Sequence, residues 1–225
     1  MEPSYISTEY EVVLIAVSSA TIVPIVEGQG EVEAVPILLR RLSAELCPSL
    51  HLKVEKPIRS SRDKIVLPGK LEAVVALAAA KLQGPGAILI LLDSDGACPK
   101  ELGPSLLTRA RAARADKHIR VALAHQEYEA WFLASADSLA GKRGFPNDLQ
   151  SHPEPETVQG AKQWLSKKML GSSIYSPTVD QPALTSIFEL NLARRARSFD
   201  RFYHVCEDLF ASLLVEQGHQ QEDPT

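Results

Sequence analysis

The stretch AILILLDSDG, residues 87–96, indicates the fold class of this chain. Six apolar residues run without interruption into two aspartates, Asp93 and Asp95. A short run that is apolar on both faces is typical of a strand covered by helices on both sides. Because alternate residues of an extended chain share a face, the two aspartates are expected to point the same way. The stretch therefore predicts a buried strand that ends in a pair of acids.

The aspartate pair admits two interpretations. Two carboxylates this close repel each other unless a proton or a cation lies between them, and Mg²⁺ prefers such oxygen ligands. Alternatively, Asp and Gly mark a polar turn that caps the next helix. An EF-hand loop does not fit, because no acid stands at the twelfth position of the loop. A cation site and a plain turn both stay open on this stretch alone.

Four more acids follow two other predicted strands: Glu27, Glu31, Glu127 and Glu129. The first pair lies in PIVEGQGEVEAV (24–35) and the second in HQEYEAWFLA (125–134), whose aromatic residues are expected in the core. A tight turn with an acid near a helix N-terminus is the alternative explanation for the first pair. Taken singly, each stretch is a weak signal.

Strands and helices alternate along the first two thirds of the chain. The predicted strands are 20–28, 51–58, the apolar part of 87–96, and 118–124. The predicted helices are 32–46, 71–82, 101–115 and 125–141. Pro36 suggests that the first of these helices begins late, near Ala34. This order predicts an α/β fold with a small, mainly parallel sheet between helices. Parallel sheets carry their chemistry at the carboxyl ends of the strands, so the acids are expected to converge at one edge.

The remaining chain is predicted to be helical. A Gly- and Pro-rich loop at 141–156 precedes helical patterns at 156–170, 181–194 and 198–216, with no convincing strand. The expected organisation is an N-terminal tail (1–19), an α/β core that contains the acids (20–141), a helical extension packed on the core (142–217) and a disordered tail (218–225).

Composition limits the classes of function. The chain is 45% hydrophobic and 23% charged with a net charge of −4, so a nucleic-acid contact must use a local basic patch or metal ions. Three scattered cysteines predict a reducing cytoplasm without a zinc site or disulfide framework. The apolar run at 12–26 is too short to span a bilayer and follows acids rather than bases, so no membrane partner is expected.

The segments IVEGQGE, LLDSDG and EYEAWFLA together resemble the Toprim catalytic domain shared by topoisomerases, primases and the overcoming-lysogenisation-defect nucleases. YSPTVDQPALTSIFEL (175–190) and RSFDRF (197–202) extend the resemblance to a Toprim-like bacterial family, domain of unknown function 4276. The likeness covers residues 20 to about 210. It implies a Toprim-like Rossmannoid fold with a four-stranded parallel sheet and a C-terminal helical extension.

The resemblance also implies a site. Glu27 matches the glutamate after the first strand, Asp93 and Asp95 match the Mg²⁺-binding pair, and Glu31 matches a second acid of the nuclease branch. Glu127 or Glu129 matches a later acid. The implied metal ligands are Glu27, Glu31, Asp93, Asp95, Glu127 and Glu129, with all but Glu129 also assigned to catalysis and Mg²⁺ or Mn²⁺ as cofactor.

The nuclease branch further uses a downstream lysine near the reacting phosphate. Lys162, Lys167 and Lys168 are the candidates, and the sequence does not choose among them. The basic positions expected to meet nucleic acid are Arg194, Arg195, Arg197, Arg201, Lys167 and Lys168. For the four arginines, a solvated helix face is the alternative.

The implied activity is metal-dependent phosphodiester hydrolysis of DNA or RNA, with DNA favoured. The resemblance implies a partner ATPase encoded nearby and a two-component role in phage defence; the oligomeric state stays open, a homodimer included. The main alternative is a catalytically inactive Toprim-like interaction module that acts through the ATPase. A phosphatase of small molecules with Asp93 as nucleophile is a third option.

Overall fold

The stretch 86–93 forms an inner strand of a parallel sheet in the computed structural model, which describes residues 18–221 of the chain. Of the predicted tails, residues 1–17 and 222–225 lie outside the described residues. The strands are β1 (Ser18–Val26), β2 (Leu50–Val54), β3 (Ile58–Arg59), β4 (Gly86–Asp93) and β5 (His118–Ala124). The α-helices are α1 (Gln29–Leu46), α2 (Arg62–Ile65), α3 (Lys70–Ala80), α4 (Pro99–Ala113), α5 (Ala130–Ala134), α6 (Ala161–Lys168), α7 (Pro177–Thr185), α8 (Leu190–Ala193) and α9 (Arg197–Gln221). Short 3-10 helices lie at Ala136–Leu139 and Pro155–Thr157.

The sheet has the strand order β2-β1-β4-β5, and its pairings within residues 18–221 are all parallel. The three strands that precede the predicted acids are therefore neighbours: β1 lies beside β4, and β4 beside β5. Val26 stands opposite Leu91, and Asp93 stands opposite Ala124, so these strands end at the same level. The predicted α/β class with a parallel sheet between helices is confirmed.

Alternate residues of β4 face two separate hydrophobic clusters. Leu89 and Leu91 pack in a cluster with α1, α5 and α9, whereas Ile88 and Ile90 pack in a cluster with α3 and α4. All four side chains are buried, and each contributes roughly 2 kcal/mol to stability by leaving water. Because both faces are covered by helices, the strand must be apolar throughout, as its sequence indicates.

The segment predicted as one strand at 51–58 forms two strands instead. β2 pairs with the first half of β1, and β3 pairs with Ile25 and Val26 at its end. The interruption contains Pro57, which lacks the N–H that a continuous ladder requires. The implied four-stranded sheet therefore has five strands within the described residues.

The first helix begins earlier than Pro36 suggested. It begins at Gln29, two residues after Glu27, and Pro36 lies in its interior. The Glu31 Oε2 atom accepts the backbone N–H of Glu27 at 3.0 Å, so a side chain of the first turn reaches back and fixes the helix start. This contact between the two glutamates explains why the helix begins before Ala34.

The prediction of one helix over 125–141 is wrong. Gln126 has a φ of 63°, and Asp93 Oδ1 accepts the backbone N–H of Tyr128 at 2.9 Å, which holds residues 126–129 in a turn. The helix that follows spans only Ala130–Ala134. The directions of the Glu127 and Glu129 side chains therefore depend on tertiary contacts of this turn and not on helical spacing.

The later helices pack the C-terminal region onto the sheet. The pattern predicted at 181–194 divides into α7 and α8, while α9 packs against β5 and α1. Trp131 is fully buried as expected, stacks on Phe202 at 5.3 Å and donates its indole N–H to Ser198 Oγ at 2.8 Å. Within residues 18–221, every helix is too short or too polar to cross a membrane.

Candidate metal-binding cleft

The carboxyl ends of β1, β4 and β5 open into one cleft of about 460 Å³. All six acids singled out by the sequence line this cleft: Glu27, Glu31, Asp93, Asp95, Glu127 and Glu129. Lys162 lines it as well, together with the first residues of α1 and of α7. The chain therefore brings together acids that lie up to about a hundred positions apart in sequence, as the parallel topology predicts.

The junction of β1 and α1 supplies the first two acids. Glu27 Oε1 accepts the backbone N–H of Arg62 at 3.1 Å, while its Oε2 atom is buried and has no hydrogen-bond partner within residues 18–221. Gly30 is required nearby, because a Cβ atom there would collide with the Pro177 carbonyl and the Gln181 side chain. This close approach of α7 closes one wall of the cleft.

The two aspartates after β4 differ in their surroundings. Asp93 is the last residue of the strand, is partly buried, and is held by the backbone N–H of Tyr128. Asp95 follows in a turn with a φ of 45°, and 55% of its side chain is exposed. The backbone is not extended through both aspartates as expected, because the strand ends at Asp93; both side chains nevertheless line the same cleft.

The turn after β5 supplies the last two acids, and Lys162 binds both. Its Nζ atom lies 2.7 Å from Glu127 Oε1 and 3.2 Å from Glu129 Oε2. Glu127 Oε2 also accepts the backbone N–H of Ala161 at 2.7 Å, and Glu129 Oε1 accepts the hydroxyl of Tyr175 at 2.9 Å. Glu129 is fully buried, so these contacts set its orientation.

Burial and mutual repulsion raise the pKa values of the cleft carboxyls. Burial raises the pKa of Glu31 from 4.5 to about 7, opposed by backbone N–H groups and reinforced by the charges of Glu129 and Glu27. Burial also raises the pKa of Asp93 well above its usual range, with Glu31 and Glu129 adding to the effect. The pKa values of Glu27 and Glu129 are raised chiefly by burial. The cleft therefore favours either bound protons or a bound cation.

Lys162 carries the opposite charge into this group. Burial disfavours its ammonium form, but Glu129, Glu127 and Asp93 outweigh that effect and raise its pKa. The side chain is thus protonated at neutral pH and partly neutralises the cleft. Of the three lysines that sequence left open, only Lys162 lines the cleft. Lys167 is exposed on α6, and Lys168 lies over the Trp164 ring at 5.3 Å.

The chemistry of these donors fits a hard divalent cation. Lys162 contacts an oxygen of both Glu127 and Glu129, in addition to the donor on the other oxygen of each. Glu27, Glu31 and Asp93 each have one oxygen held by a donor within the protein, which leaves the other oxygen for a ligand. The buried, unpartnered Oε2 atom of Glu27 is the plainest instance. Within residues 18–221, no three His, Cys, Asp or Glu side chains already stand close enough to hold a metal ion. Mg²⁺ usually takes one or two carboxylates and completes its shell with water and substrate phosphate.

The four arginines predicted to meet nucleic acid do not form one cluster. Arg194 is bound to Asp200 at 2.6 Å, and Arg195 is bound to Asp137 at 3.2 Å. Arg197 and Arg201 instead line a groove beside β5, and neither of those acids lines it. The structure therefore leaves two of the four arginines without a carboxylate partner within residues 18–221.

Two residues near the acids were not singled out from the sequence. Arg62 donates to the Ser94 carbonyl at 2.5 Å and lies 3.9 Å from Asp95 Oδ2. Tyr175 donates to Glu129 from the start of the quoted segment YSPTVDQPALTSIFEL. Nothing in the local sequence around Arg62 indicates its role, because the contact joins residues 32 or more positions apart.

The fold and the cleft together define a class: an α/β protein with a Rossmann-like parallel sheet and a carboxylate cleft at the ends of its strands. The chain belongs to the family described as Domain of unknown function (DUF4276), whose model matches residues 26–206. The expected family membership is confirmed, and the match includes the acids, Lys162 on α6 and Tyr175 in the loop before α7. No curated protein and no solved structure is significantly similar to the chain.

Proposed function

We propose that the protein is a Mg²⁺-dependent nuclease of the Toprim type, which hydrolyses phosphodiester bonds of DNA or RNA. The observation that carries the proposal is the convergence of six carboxylates from three neighbouring strand ends on one cleft beside Lys162. Metal-assisted phosphodiester hydrolysis needs carboxylates to hold cations and positive charge to offset the phosphate. This cleft contains groups of both kinds.

The cleft offers two groups of ligands. Glu27, Asp93 and Asp95 surround the ends of β1 and β4 and would hold one cation, Mg²⁺ or Mn²⁺. Glu31, with Glu127 or Glu129, would hold a second cation or orient the attacking water. The hydrogen bonds that anchor Glu31, Asp93 and Glu129 limit the rearrangement that binding requires.

A bound Mg²⁺ would polarise the scissile phosphate and favour deprotonation of the attacking water. The protein's own cations act beside it. Lys162 stays protonated because of its acidic neighbours, so its ammonium group offsets negative charge on the phosphate when the substrate enters. We therefore assign to Lys162 the role of the downstream lysine that the resemblance implies. Arg62 lies at the Asp95 side of the cleft and adds a second positive charge there.

Nicking of supercoiled plasmid DNA in Mg²⁺ or Mn²⁺ tests this proposal, with a single-stranded RNA assayed in parallel. We expect wild-type protein to nick and Asp93→Asn to reduce the rate at least about 100-fold. Asp116→Asn is the matched control, because Asp116 is an exposed acid paired with Arg114 outside the cleft. A wild-type protein that is inert alone and with its partner ATPase would contradict the proposal.

The alternative is a catalytically inactive interaction module that acts through the partner ATPase. It is favoured by one observation: within the described residues, no three potential ligands stand at metal-binding distance as they are. A wild type that neither nicks nucleic acid nor binds Mg²⁺ in calorimetry would support it, and turnover of a phosphomonoester would support a phosphatase. Loss of phage resistance in cells carrying Asp93→Asn would support an effector role in a two-component defence system.

A further inference from the structure

The outer edge of β5 faces a groove. Within residues 18–221, β4 is the only strand that pairs with β5. A groove of about 460 Å³ runs beside it between α4 and α9, and Val121, Ala122 and Leu123 all line it. Because consecutive side chains of a strand point to opposite faces, a cavity that touches three in a row reaches the edge of the strand. The groove therefore opens onto the side where another strand could pair.

The walls of the groove are largely apolar. Leu107 and Pro104 come from α4, and Val205 comes from α9. The described lining of this groove and of its continuation contains no Phe, Tyr or Trp, and its aromatic rings are the imidazoles of His204 and His125. Proteins that bind single-stranded nucleic acid usually stack bases on aromatic side chains. The lining thus fits aliphatic side chains better than it fits bases.

The rim of the groove is positively charged. Lys100, Arg197 and Arg201 are exposed there, and none forms an ion pair with a described residue. One acid, Glu156, lines the rim, and its Oε1 atom already accepts the backbone N–H of Ser198 at 2.7 Å. The charge on the rim therefore complements acidic side chains.

The start of β5 is protected by its own side chain. The Arg120 guanidinium donates to the Ile119 carbonyl at 3.3 Å, which is the kind of charged cover that natural edge strands use against unwanted pairing. Val121 to Leu123 follow without such a cover from a described side chain hydrogen bond. The part of the edge that faces the apolar groove is thus the part left available.

We propose that this groove docks an extended segment of a partner protein in which aliphatic residues alternate with Asp or Glu. The segment would pair its backbone with the β5 edge, as in other cases of strand addition. Its aliphatic side chains would enter the space between α4 and α9, and its acids would meet Lys100, Arg197 and Arg201. The proposal does not depend on the chemistry of the carboxylate cleft.

A random twelve-residue peptide library displayed on phage, selected on the wild type, provides the probe. We expect the enriched peptides to show alternating aliphatic and acidic residues. Measured by fluorescence anisotropy, these peptides should bind the variant Lys100→Glu/Arg201→Glu at least about tenfold more weakly than the wild type. Methylation of alternate peptide nitrogens, which blocks strand pairing, should weaken binding to the wild type by a similar factor. Enrichment without this pattern, or no enrichment, overturns the proposal.

Two variants control for folding and for charge. Arg111→Glu reverses a charge on the same helix α4 outside the groove and should leave peptide binding unchanged. Gly103→Leu fills the groove from α4, where an added Cβ would lie 3.7 Å from Leu123 Cδ1 and so would meet no clash. It should abolish binding without lowering the melting temperature, since leucine also has a higher helix propensity than glycine. Binding that survives Gly103→Leu overturns the proposal.

Other occupants give distinct results. Sedimentation of a wild-type dimer that Gly103→Leu converts to monomer would assign the groove to a second copy of this chain and overturn the proposal. Competition by an oligonucleotide, or by a synthetic peptide of residues 1–17, would likewise overturn it. Because Asp93→Asn leaves the groove intact, its peptide binding should match the wild type even if the nuclease proposal fails.

Discussion

The acidic cleft and the β5 groove adjoin the same strand, but the charged side chains of the cleft are largely buried carboxylates and those of the groove are exposed basic residues. At the end of β5, Glu129 is fully buried among other carboxylates and depends on Lys162 and Tyr175. Along its edge, Lys100 and Arg201 are exposed to water. Buried like charges raise one another's pKa and create a demand for a cation, whereas exposed charges are hydrated and screened. The cleft is thus specified by electrostatics, and the groove by shape and apolar surface.

The largest difference between the cleft and the groove is expected in Mg²⁺ binding. The variant Asp93→Asn/Asp95→Asn removes two negative charges from the cleft, so Mg²⁺ affinity measured by calorimetry should fall at least about 100-fold. Reversal of Lys100 and Arg201 in the groove should leave Mg²⁺ binding as it is in the wild type. Equal binding by the wild type and the cleft variant would break the electrostatic account of the cleft.

Stability should depend on pH through Glu31. Its pKa is 4.5 in the unfolded chain and about 7 in the fold, so the folded protein binds the proton more tightly. The resulting stabilisation is complete below about pH 4.5 and is lost as the pH rises through about 7, by roughly 3 kcal/mol. In EDTA, the melting temperature should therefore fall between pH 5 and pH 8, beyond the change seen in Glu31→Gln.

Added Mg²⁺ sharpens that test. A cation that replaces the proton among the carboxylates should restore stability at pH 8 and do little at pH 5, with protons released on binding. Calorimetry in two buffers of different ionisation enthalpy measures that release. A melting temperature that is insensitive to both pH and Mg²⁺ would show that the carboxylates do not interact as the structure indicates.

Removal of the ammonium group of Lys162 should have a smaller effect on the free energy of unfolding than the titration of Glu31. Lys162→Met leaves Glu127 and Glu129 without their ion pair; loss of one partner of a buried pair costs about 3–5 kcal/mol. The lysine side chain is 35% exposed, so screening by solvent lowers the expected cost to about 2 kcal/mol. Urea denaturation measures it, and Mg²⁺ should stabilise this variant more than the wild type. A variant as stable as the wild type would contradict the role of the pair.

The smallest effect is expected at the groove. Arg197→Glu changes an exposed residue with no described ion pair and should shift the free energy of unfolding by no more than about 0.5 kcal/mol. Arg194→Ala is the contrast, since this neighbour in sequence binds Asp200 and lies 4.4 Å over the Tyr203 ring. It should cost about 1 kcal/mol more. Equal costs would mean that the two arginines share one environment.

The parallel strands and the edge at which the acids meet followed from local pattern. β4 is apolar on both faces because helices cover both, and β1 and β5 show the same pattern less strongly. In a parallel sheet whose strands end at one level, the residues that follow neighbouring strands lie close together. Glu27, Asp93 and Glu127 therefore line one cleft. Local periodicity is sufficient for this because it reports which faces are buried.

The sequence also predicted some features incorrectly for physical reasons. The turn at 126–129 is held by a hydrogen bond from Tyr128 to Asp93, which lies 35 positions away, so helical propensity around it was a poor guide. The early start of α1 depends on a side chain of its own first turn. In both places a specific contact outweighs a propensity of a few tenths of a kcal/mol per residue.

The amino-acid order alone thus specified the α/β class, the family and the set of acids, since these depend on burial patterns and on motifs that are local in the chain. Only the tertiary structure chose Lys162 over Lys167 and Lys168, placed Tyr175 and Arg62 beside the acids, and separated Arg197 from Arg194. These choices depend on distances between side chains on different elements. Such distances are set when the helices pack on the sheet, and no local pattern encodes them.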